Sequence, residues 1–156
     1  MLRKIITITL LLVIAASCTK NTDVADYSAT DKKIIEDYLL AKNLTAQSTA
    51  SGLHYIIEKP GGTYRANIHS LVSAVYKGYL VNDTVFDQTT LTYNNPATFA
   101  LTSVIKGWQE GIPLVGVGGK IKLLVPSALG YVSAEKPGIP ANSVLIFDIE
   151  VVDIYN

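Results

Sequence analysis

Residues that could break covalent bonds are few and poorly placed in this chain. His54 and His69 are the two histidines, and no second type of metal ligand lies at a useful spacing from them. No serine has the G-x-S-x-G setting of a hydrolase nucleophile. Residues 116–120 end in Gly-Gly-Lys, but Leu114 stands where a phosphate-binding loop needs its first glycine. The sequence therefore predicts no metal site and no cofactor.

Aromatic and apolar residues instead recur in short clusters along the chain. The clusters are Val75-Tyr76, Phe86-Asp87, Val104-Ile105-Lys106-Gly107-Trp108, Gly130-Tyr131, and Ile139-Pro140 followed by Leu145-Ile146-Phe147-Asp148. A single Phe or Tyr in a β-rich protein is ordinarily a core residue. The combination is more specific, above all the segment from Val104 to Trp108 with Glu110 and Gly111 behind it.

As a set these clusters resemble the signatures of the FKBP-type peptidyl-prolyl isomerases, which have the form V-x-Y-x-G, F-D, V-I-x-G-W, G-Y-G, and I-P followed by L-x-F-D. The resemblance covers roughly residues 53–154. It implies an α+β fold, a twisted antiparallel β-sheet wrapped around a short helix. It also implies cis/trans isomerisation of X-Pro bonds without a cofactor, proline-containing polypeptides as partners, and macrolide-type compounds as candidate ligands.

The resemblance assigns a role to each site residue. Trp108 would be the floor under the prolyl ring, and Asp87 would help to orient the twisted amide. The backbone N–H of Ile105 and the hydroxyl of Tyr131 would bind carbonyl groups of the peptide, and Ile139 would close the rim. The walls would be Tyr76, Phe86, Phe99, Val104, Ile105 and Phe147. Of these residues, Asp87, Tyr131, Phe147, Trp108 and Tyr76 are expected to act in catalysis, and the others in substrate binding.

Two positions depart from the family pattern. Val132 follows Gly130-Tyr131 where the family usually has glycine, so it would stiffen or reshape the loop that presents the Tyr131 hydroxyl. Between Asp87 and Phe99 there is no Arg or Lys, so the basic partner that some relatives give this aspartate is absent.

The surrounding pattern predicts the elements that position these residues. Thr30 or Asp31 can cap a helix, and an apolar stripe at helical spacing continues it to about Thr45. The stripe is Ile34, Ile35, Tyr38, Leu39 and Leu40. It would pack on the domain or, as an alternative, form a dimerisation arm. Short runs rich in β-branched and aromatic residues then predict strands near 53–58, 69–82, 97–102, 119–126 and 143–154.

Two further features of the domain follow from the pattern. Residues 106–111 are the second helix that the pattern allows, limited by Gly111 and Pro113. In the last predicted strand, Leu145, Phe147, Ile149 and Val151 share one face, which we expect to cover the core, while Asp148 and Glu150 share the other. The isomerase-like domain would then comprise residues 51–156, and the N-terminal helical segment residues 30–50.

The N-terminus has the pattern of a bacterial lipoprotein signal. Arg3 and Lys4 precede a largely apolar run over residues 5–16. At ~1.5 Å per helical residue this run reaches about 18 Å, short of the ~30 Å hydrocarbon layer, which is typical of a signal peptide. Small residues at 15–17 precede Cys18, the single cysteine, and resemble a lipobox. The sequence predicts a signal peptide over residues 1–17, a lipidated Cys18, and a flexible tether through residue 29.

Charge and sorting signals bear on location and partners. The 13 basic and 13 acidic residues balance, and no basic cluster is present, which argues against nucleic-acid binding. The predicted lipid would attach the domain to the membrane of the cell envelope. Thr19 follows the cysteine in place of an aspartate that retains some lipoproteins at the inner membrane, which favours the outer membrane and leaves periplasmic or surface exposure open.

Two other functions remain as alternatives at this stage. The same fold could act as a non-catalytic peptide-binding or chaperone module that grips apolar segments. The chain could also be a structural envelope lipoprotein in which the aromatic residues are only core, and in that case no cleft would separate their rings.

Overall fold

The computed structural model describes residues 26–89 and 95–156. Within these ranges there are two α-helices and seven strands. They are α1 (Ser28–Ala41), β1 (Gln47–Ser48), β2 (His54–Lys59), β3 (Leu71–Leu80), β4 (Val85–Gln88), β5 (Ala97–Ala100), α2 (Lys106–Gly111), β6 (Lys120–Val125) and β7 (Leu145–Tyr155). The predicted signal peptide, Cys18 and all but the end of the tether lie outside the described residues. No helix in the described ranges is long and apolar enough to cross a membrane.

All pairings between the seven strands are antiparallel, in the order β1-β2-β6-β7-β3-β4. β5 also pairs with β3, at the opposite end from β4: Leu71 faces Ala100, whereas Lys77 faces Gln88. β7 lies in the middle of the sheet, where it pairs along its length with β3 and over Leu145–Glu150 with β6. The α+β fold class predicted from the sequence is therefore confirmed.

The helix α2 lies against one face of the sheet, called here the inner face. Two glycines four residues apart allow this close approach. A Cβ at Gly107 would lie 2.6 Å from a methyl carbon of Val125, and one at Gly111 would lie 2.6 Å from a methyl carbon of Leu123, both on β6. The inner core includes Leu145, Phe147, Ile149 and Val151 of β7, so the predicted core-facing side of this strand is confirmed.

The opposite, outer face is covered at one end by α1. The outer core is formed by Ile35, Tyr38, Tyr79, Leu124, Val144 and Ile146. Beyond α1 this face is charged: Lys122 bonds to Asp148, and Lys120 lies 3.1 Å from Glu150. Because side chains alternate along a strand, β7 contributes to both cores.

Several predicted boundaries differ from the structure. α1 begins at Ser28, with Tyr27 as its N-cap, so neither Thr30 nor Asp31 caps it. It ends at Ala41 rather than at Thr45, and Asn43 just beyond it has a left-handed backbone (φ 53°). Leu40, predicted in the apolar stripe, is 83% exposed, because it lies five residues after Ile35, on the other side of a helix that has 3.6 residues per turn.

The strands also differ in detail. The strand predicted over 97–102 ends at Ala100, since Leu101–Ser103 form a 3₁₀ turn. The strand predicted over 69–82 spans Leu71–Leu80. β1 and β4 were not predicted, and both are short, which gives too few residues for a clear alternation. The predicted second helix at Lys106–Gly111 is confirmed.

Candidate functional site

A cleft of about 680 Å³ opens on the inner side of the sheet and brings together all ten residues that the sequence predicted for the site. These are Tyr76, Phe86, Asp87, Phe99, Val104, Ile105, Trp108, Tyr131, Ile139 and Phe147. The chain's three phenylalanines and its one tryptophan are all among them. The interpretation of these aromatics as core only, with no cleft between them, is therefore wrong.

The lining residues come from seven parts of the fold. Tyr76 lies on β3, Phe86 and Asp87 on β4, Phe99 on β5, Trp108 on α2, and Phe147 on β7. The remaining lining residues come from the segment just before α2 and from the connection between β6 and β7. Because β7 pairs with β3 along one edge, β4 and β5 both pair with its other edge, at opposite ends.

A glycine on β3 makes room for two of the rings. A Cβ at Gly78 would lie 2.7 Å from the ring of Phe86 and 2.8 Å from the ring of Phe147. These distances are shorter than van der Waals contact, so a larger residue would force the rings apart. Gly78 follows Tyr76 at the spacing of the glycine in the V-x-Y-x-G signature, although Ala74 stands at the place of the valine, and its absent side chain is what lets Phe86 and Phe147 meet.

Trp108 is the centre of the aromatic cluster. Its ring centroid lies 5.0 Å from that of Tyr76, 5.1 Å from Phe99 and 5.2 Å from Phe147. The planes of Tyr76 and Phe147 are nearly perpendicular to it, at 82° and 84°, an arrangement that aromatic pairs favour. Trp108 is 5% exposed, and its indole N–H is buried without a hydrogen-bond partner in the described parts of the chain.

Two polar side chains of the cleft, Tyr76 and Asp87, are joined by a hydrogen bond. The Tyr76 hydroxyl donates to Oδ2 of Asp87 over 2.7 Å. This hydroxyl takes the place of the basic partner that the sequence showed to be missing. Burial raises the pKa of Tyr76, and the hydrogen bond to Asp87 raises it further. Burial and then the negative charge of Asp87 also raise the pKa of Tyr131. Both hydroxyls therefore stay protonated, as hydrogen-bond donors, at neutral pH.

The segment before α2 presents an unused backbone donor. The carbonyl of Ile105 accepts from the N–H of Trp108 at 3.0 Å and from Gln109 at 3.2 Å. The N–H of Ile105 itself has no acceptor among the described residues. Since Ile105 lines the cleft, its N–H is available to a bound carbonyl group, as the resemblance implied.

In the loop that carries Tyr131, one carbonyl oxygen accepts two backbone hydrogen bonds. The oxygen of Ser127 accepts from the N–H groups of Gly130 and Val132, each at 3.0 Å, one on either side of Tyr131. Val132 has a left-handed backbone (φ 54°), a conformation that is strained for a β-branched residue. The departure seen in the sequence is thus a real feature of this loop: valine stands where glycine would be relaxed.

Sequence reasoning missed five of the residues that line the cleft: Ala97, Thr98, Ser103, Lys136 and Pro137. Lys136 and Asp87 are the charged residues among the cleft's described lining, and the Lys136 ammonium lies 5.7 Å from the centroid of the Tyr131 ring. The signal that could have found Lys136 and Pro137 is their position between Tyr131 and Ile139, both of which were predicted in the site.

Comparison with known proteins gives a consistent result. Residues 62–152 match the family of FKBP-type peptidyl-prolyl cis-trans isomerases. The chain is 41% identical over 143 residues to the FKBP-type isomerase FkpA of Buchnera aphidicola, covering 88% of this chain and 56% of that protein. The crystal structure of FkpA from Escherichia coli superposes with a TM-score of 0.72 at 37% identity, covering 85% of this chain and 61% of that one.

A third comparison concerns the fold alone, because the sequence identity is low. The crystal structure of a peptidyl-prolyl isomerase from Pseudomonas syringae covers 83% of this chain and 96% of its own, with a TM-score of 0.69 at 24% identity. The chain spans about half the length of the curated FkpA relatives that it matches.

Proposed function

Because the chain belongs to the FKBP-type peptidyl-prolyl cis-trans isomerase family, we propose that it catalyses cis/trans isomerisation of X-Pro bonds in polypeptides. One observation carries the proposal. The ten residues predicted from the family signatures come from separate parts of the fold and line one cleft, whose buried centre is Trp108. A prolyl ring is an apolar group of a size that such an aromatic cleft can accept.

The chemistry needs no covalent step. The barrier is the partial double-bond character of the amide, ~18–20 kcal/mol, and uncatalysed exchange takes tens to hundreds of seconds. In the twisted transition state the carbonyl loses its charge-separated form, so water stabilises it less than it stabilises the planar amide. An apolar cleft therefore favours the twisted form. About 6 kcal/mol removed from the barrier would accelerate the reaction roughly 10⁴-fold.

The polar groups of the cleft would orient the peptide. We propose that the N–H of Ile105 and the hydroxyl of Tyr131 bind the carbonyl groups that flank the proline. Tyr76 holds Asp87 by its hydroxyl, so this carboxylate is fixed at the edge of the cleft and would orient the twisted amide without acting as a general base. Ile139, 6% exposed, would close the rim.

The N-terminal signal supports a proposal for location. We propose that Cys18 carries a lipid and that the domain acts at the cell envelope, on newly exported proteins that pass within reach of residues 18–29. The supporting observation is the lipobox-like segment before the single cysteine. The mass of the intact protein, purified from membranes, would show the added acyl groups, and an unmodified Cys18 would contradict the anchor. Binding of macrolide-type ligands in the same cleft also stays a proposal, testable by competition with a peptide substrate.

The proposed activity is tested by a protease-free isomerisation assay on the protein purified in mild detergent as the cell produces it. The substrates are tetrapeptides that differ in the residue before proline. Tyr131→Phe removes the cleft hydroxyl, and Tyr155→Phe is the matched control, since Tyr155 is 53% exposed at the end of β7. We expect turnover by the wild type, a fall of roughly three- to tenfold in kcat/KM for Tyr131→Phe, as for loss of one hydrogen bond, and no change for Tyr155→Phe.

The same assay separates the alternative function. A folded wild-type protein without turnover that still binds the peptides would be a peptide-binding module, and the isomerase proposal would fail. Equal loss of activity in both tyrosine variants would remove Tyr131 from the proposed binding groups.

A further inference from the structure

A buried carboxylate joins the N-terminal helix to the loop that carries Tyr131. Asp31, in the first turn of α1, is 1% exposed. Its Oδ2 atom accepts from the backbone N–H of Ser127 at 2.8 Å and from the Ser127 hydroxyl at 2.7 Å. The two residues lie 96 positions apart in the sequence, so this contact is made only by the folded protein.

Ser127 connects this contact with the cleft. Its donors bind Asp31, while its carbonyl oxygen accepts from the N–H groups of Gly130 and Val132. These two groups flank Tyr131 in the chain. The hydrogen bonds therefore run without a break from the carboxylate on α1 to both neighbours of the residue whose hydroxyl faces the cleft.

The loop needs such a restraint because it contains a strained residue. Val132 holds a left-handed backbone, which costs a non-glycine residue about 1–2 kcal/mol. Leu129 and Tyr131 also pack against the inner core, but the loop's other backbone hydrogen bonds are local, such as the bond from the N–H of Ala134 to the carbonyl of Tyr131 and that from Asn142 to Val132. Asp31 is the group from outside the β6–β7 connection that holds Ser127 itself.

Asp31 places a carboxyl group in a buried position that an apolar side chain would ordinarily fill. A buried carboxylate is costly unless it is paired, and Oδ1 of Asp31 has no hydrogen-bond partner among the residues that the structure describes. Hydrogen bonds to a charged acceptor are roughly twice as strong as neutral ones. The carboxyl group thus gives both donors of Ser127 an acceptor, which an apolar side chain could not supply.

We infer that Asp31 is a positioning residue, which acts through Ser127 to hold the Tyr131 hydroxyl in place for substrate. This inference rests on the proposed isomerase function and extends the site to α1, which otherwise covers the opposite face of the sheet. Asp31 does not touch the cleft itself, since it is absent from the lining. Loss of Asp31 should therefore loosen the loop around Tyr131, and the rate of catalysis should fall as a result.

The test uses three variants of the detergent-purified protein. Asp31→Ala removes both bonds, Ser127→Ala removes only the hydroxyl donor, and Asp31→Asn keeps an acceptor oxygen without the charge. Asp37→Ala is the matched control, because Asp37 lies on the same helix, is 64% exposed and pairs with Lys33 at 2.8 Å. Hydrogen exchange of the segment 127–133 and of β7 is measured alongside kcat/KM.

We expect Asp31→Ala to lower kcat/KM about tenfold and to speed exchange in 127–133 while β7 stays protected. Ser127→Ala should show a smaller loss, and it should add less in the Asp31→Ala background than it does alone, because the two residues act through one contact. Asp31→Asn should recover part of the activity, and Asp37→Ala should match the wild type. If Asp31→Ala does not fold, Ser127→Ala and Asp31→Asn decide the question.

The inference is overturned if folded Asp31→Ala retains wild-type kcat/KM with unchanged exchange in 127–133, or if exchange rises equally in β7. A wild-type protein without turnover would defeat the proposed function instead. In that case the exchange pattern and the affinity for a proline-containing tetrapeptide still decide whether Asp31 holds the loop, since neither readout requires catalysis.

Discussion

The two faces of the central strand β7 are built from neighbouring residues and yet do different things. Phe147 points to the inner face and lines the cleft, whereas Ile146 points to the outer face and is closed over by α1. Both are buried, at 4% and 0% exposure. The strand is the same and the burial is almost the same, so neither explains why Phe147 lines the cleft whereas Ile146 is packed beneath a helix.

The difference lies in the shape of the side chains and of the helix above them. On the inner face, rings meet edge to face at centroid distances of 5.0–5.6 Å, and α2 is a short helix that leaves the strand ends open. On the outer face, Ile35, Leu124 and Ile146 fill the space beneath the longer α1. The rings around Trp108 thus border a cleft beneath a short helix, whereas the aliphatic residues and the two buried tyrosines of the outer core, Tyr38 and Tyr79, are covered by a longer one.

The largest effect expected from this comparison concerns Phe147→Ala and Ile146→Ala. Each should lower the free energy of unfolding by several kcal/mol, about 3–5 for Phe and 2–5 for Ile. Only Phe147→Ala should also lower kcat/KM of the folded protein, by roughly 100-fold, which corresponds to about 2.7 kcal/mol. Denaturant titration gives the first quantity, and the isomerisation assay on protein shown to be folded by circular dichroism gives the second.

Activity is corrected for the fraction of folded protein. If Phe147→Ala and Ile146→Ala then lose activity to the same degree, the proposal that only the inner face of β7 serves the cleft is wrong. Trp108→Ala should behave as Phe147→Ala does. Because Trp108 is also almost fully buried, the assay has to be run at a temperature where the variant remains folded.

A second prediction concerns alkaline pH and compares two tyrosines of β3. Burial is the first cause of the raised pKa of both Tyr76, on the cleft side, and Tyr79, on the outer side. Below pH ~10 both hydroxyls are protonated in the folded and the unfolded chain. Above it the unfolded chain releases protons first, so the free energy of unfolding falls as pH rises. Tyr76→Phe and Tyr79→Phe should each reduce this fall.

The measurement is the free energy of unfolding between pH 9 and pH 11, with Tyr64→Phe, at a site that is 52% exposed, as the control. Turnover should stay flat in the neutral range, since the hydroxyls of Tyr76 and Tyr131 remain protonated there. A steep change in kcat/KM around neutral pH would show that activity depends on the protonation of a group other than Tyr76 and Tyr131.

The smallest expected effect lies at the rim of the cleft. Val132→Gly should raise the free energy of unfolding by about 1 kcal/mol, since glycine accepts the left-handed backbone and the relief outweighs the entropy that glycine loses on folding. For a chain of this size the melting temperature would rise by about 2–4 °C. Val132 is 44% exposed, so little packing is lost.

Val81→Gly is the matched control for this change. Val81 is exposed to a similar degree, 39%, and is not among the described non-glycine residues with a positive φ. Glycine there should lower the free energy of unfolding by about 0.5–1 kcal/mol. A loss of stability in Val132→Gly comparable to that in Val81→Gly would mean that the loop is not strained at Val132.

The sequence predicted which residues line the cleft better than it predicted the ends of the strands and helices. Residues such as Tyr76, Trp108 and Phe147 could be found because their order and spacing match a known pattern, and the pattern already contains the three-dimensional arrangement. β4 could not be found, although it carries Phe86 and Asp87, since four residues give no reliable periodicity.

Contacts between distant parts of the chain could not be predicted from the sequence, for another reason. The sequence predicts Thr30 or Asp31 as a helix cap because threonine and aspartate are common there, and nothing local to Asp31 indicates Ser127. The hydrogen bond between Tyr76 and Asp87 depends likewise on the pairing of β3 with β4. Spacing along one segment predicts which face a residue occupies, but not which distant group will bind it.

The central place of β7 also governs how the protein must fold. Its pairing with β3 joins residues as distant as Leu71 and Tyr155, and closing such long loops is slow relative to forming local contacts. Since β7 supplies side chains to the inner and the outer core, neither core is complete before it has paired. Docking of this strand is therefore the step in which the hydrophobic interior and the cleft are formed together, and unfolding should be a single cooperative transition in which cleft and stability are lost at once.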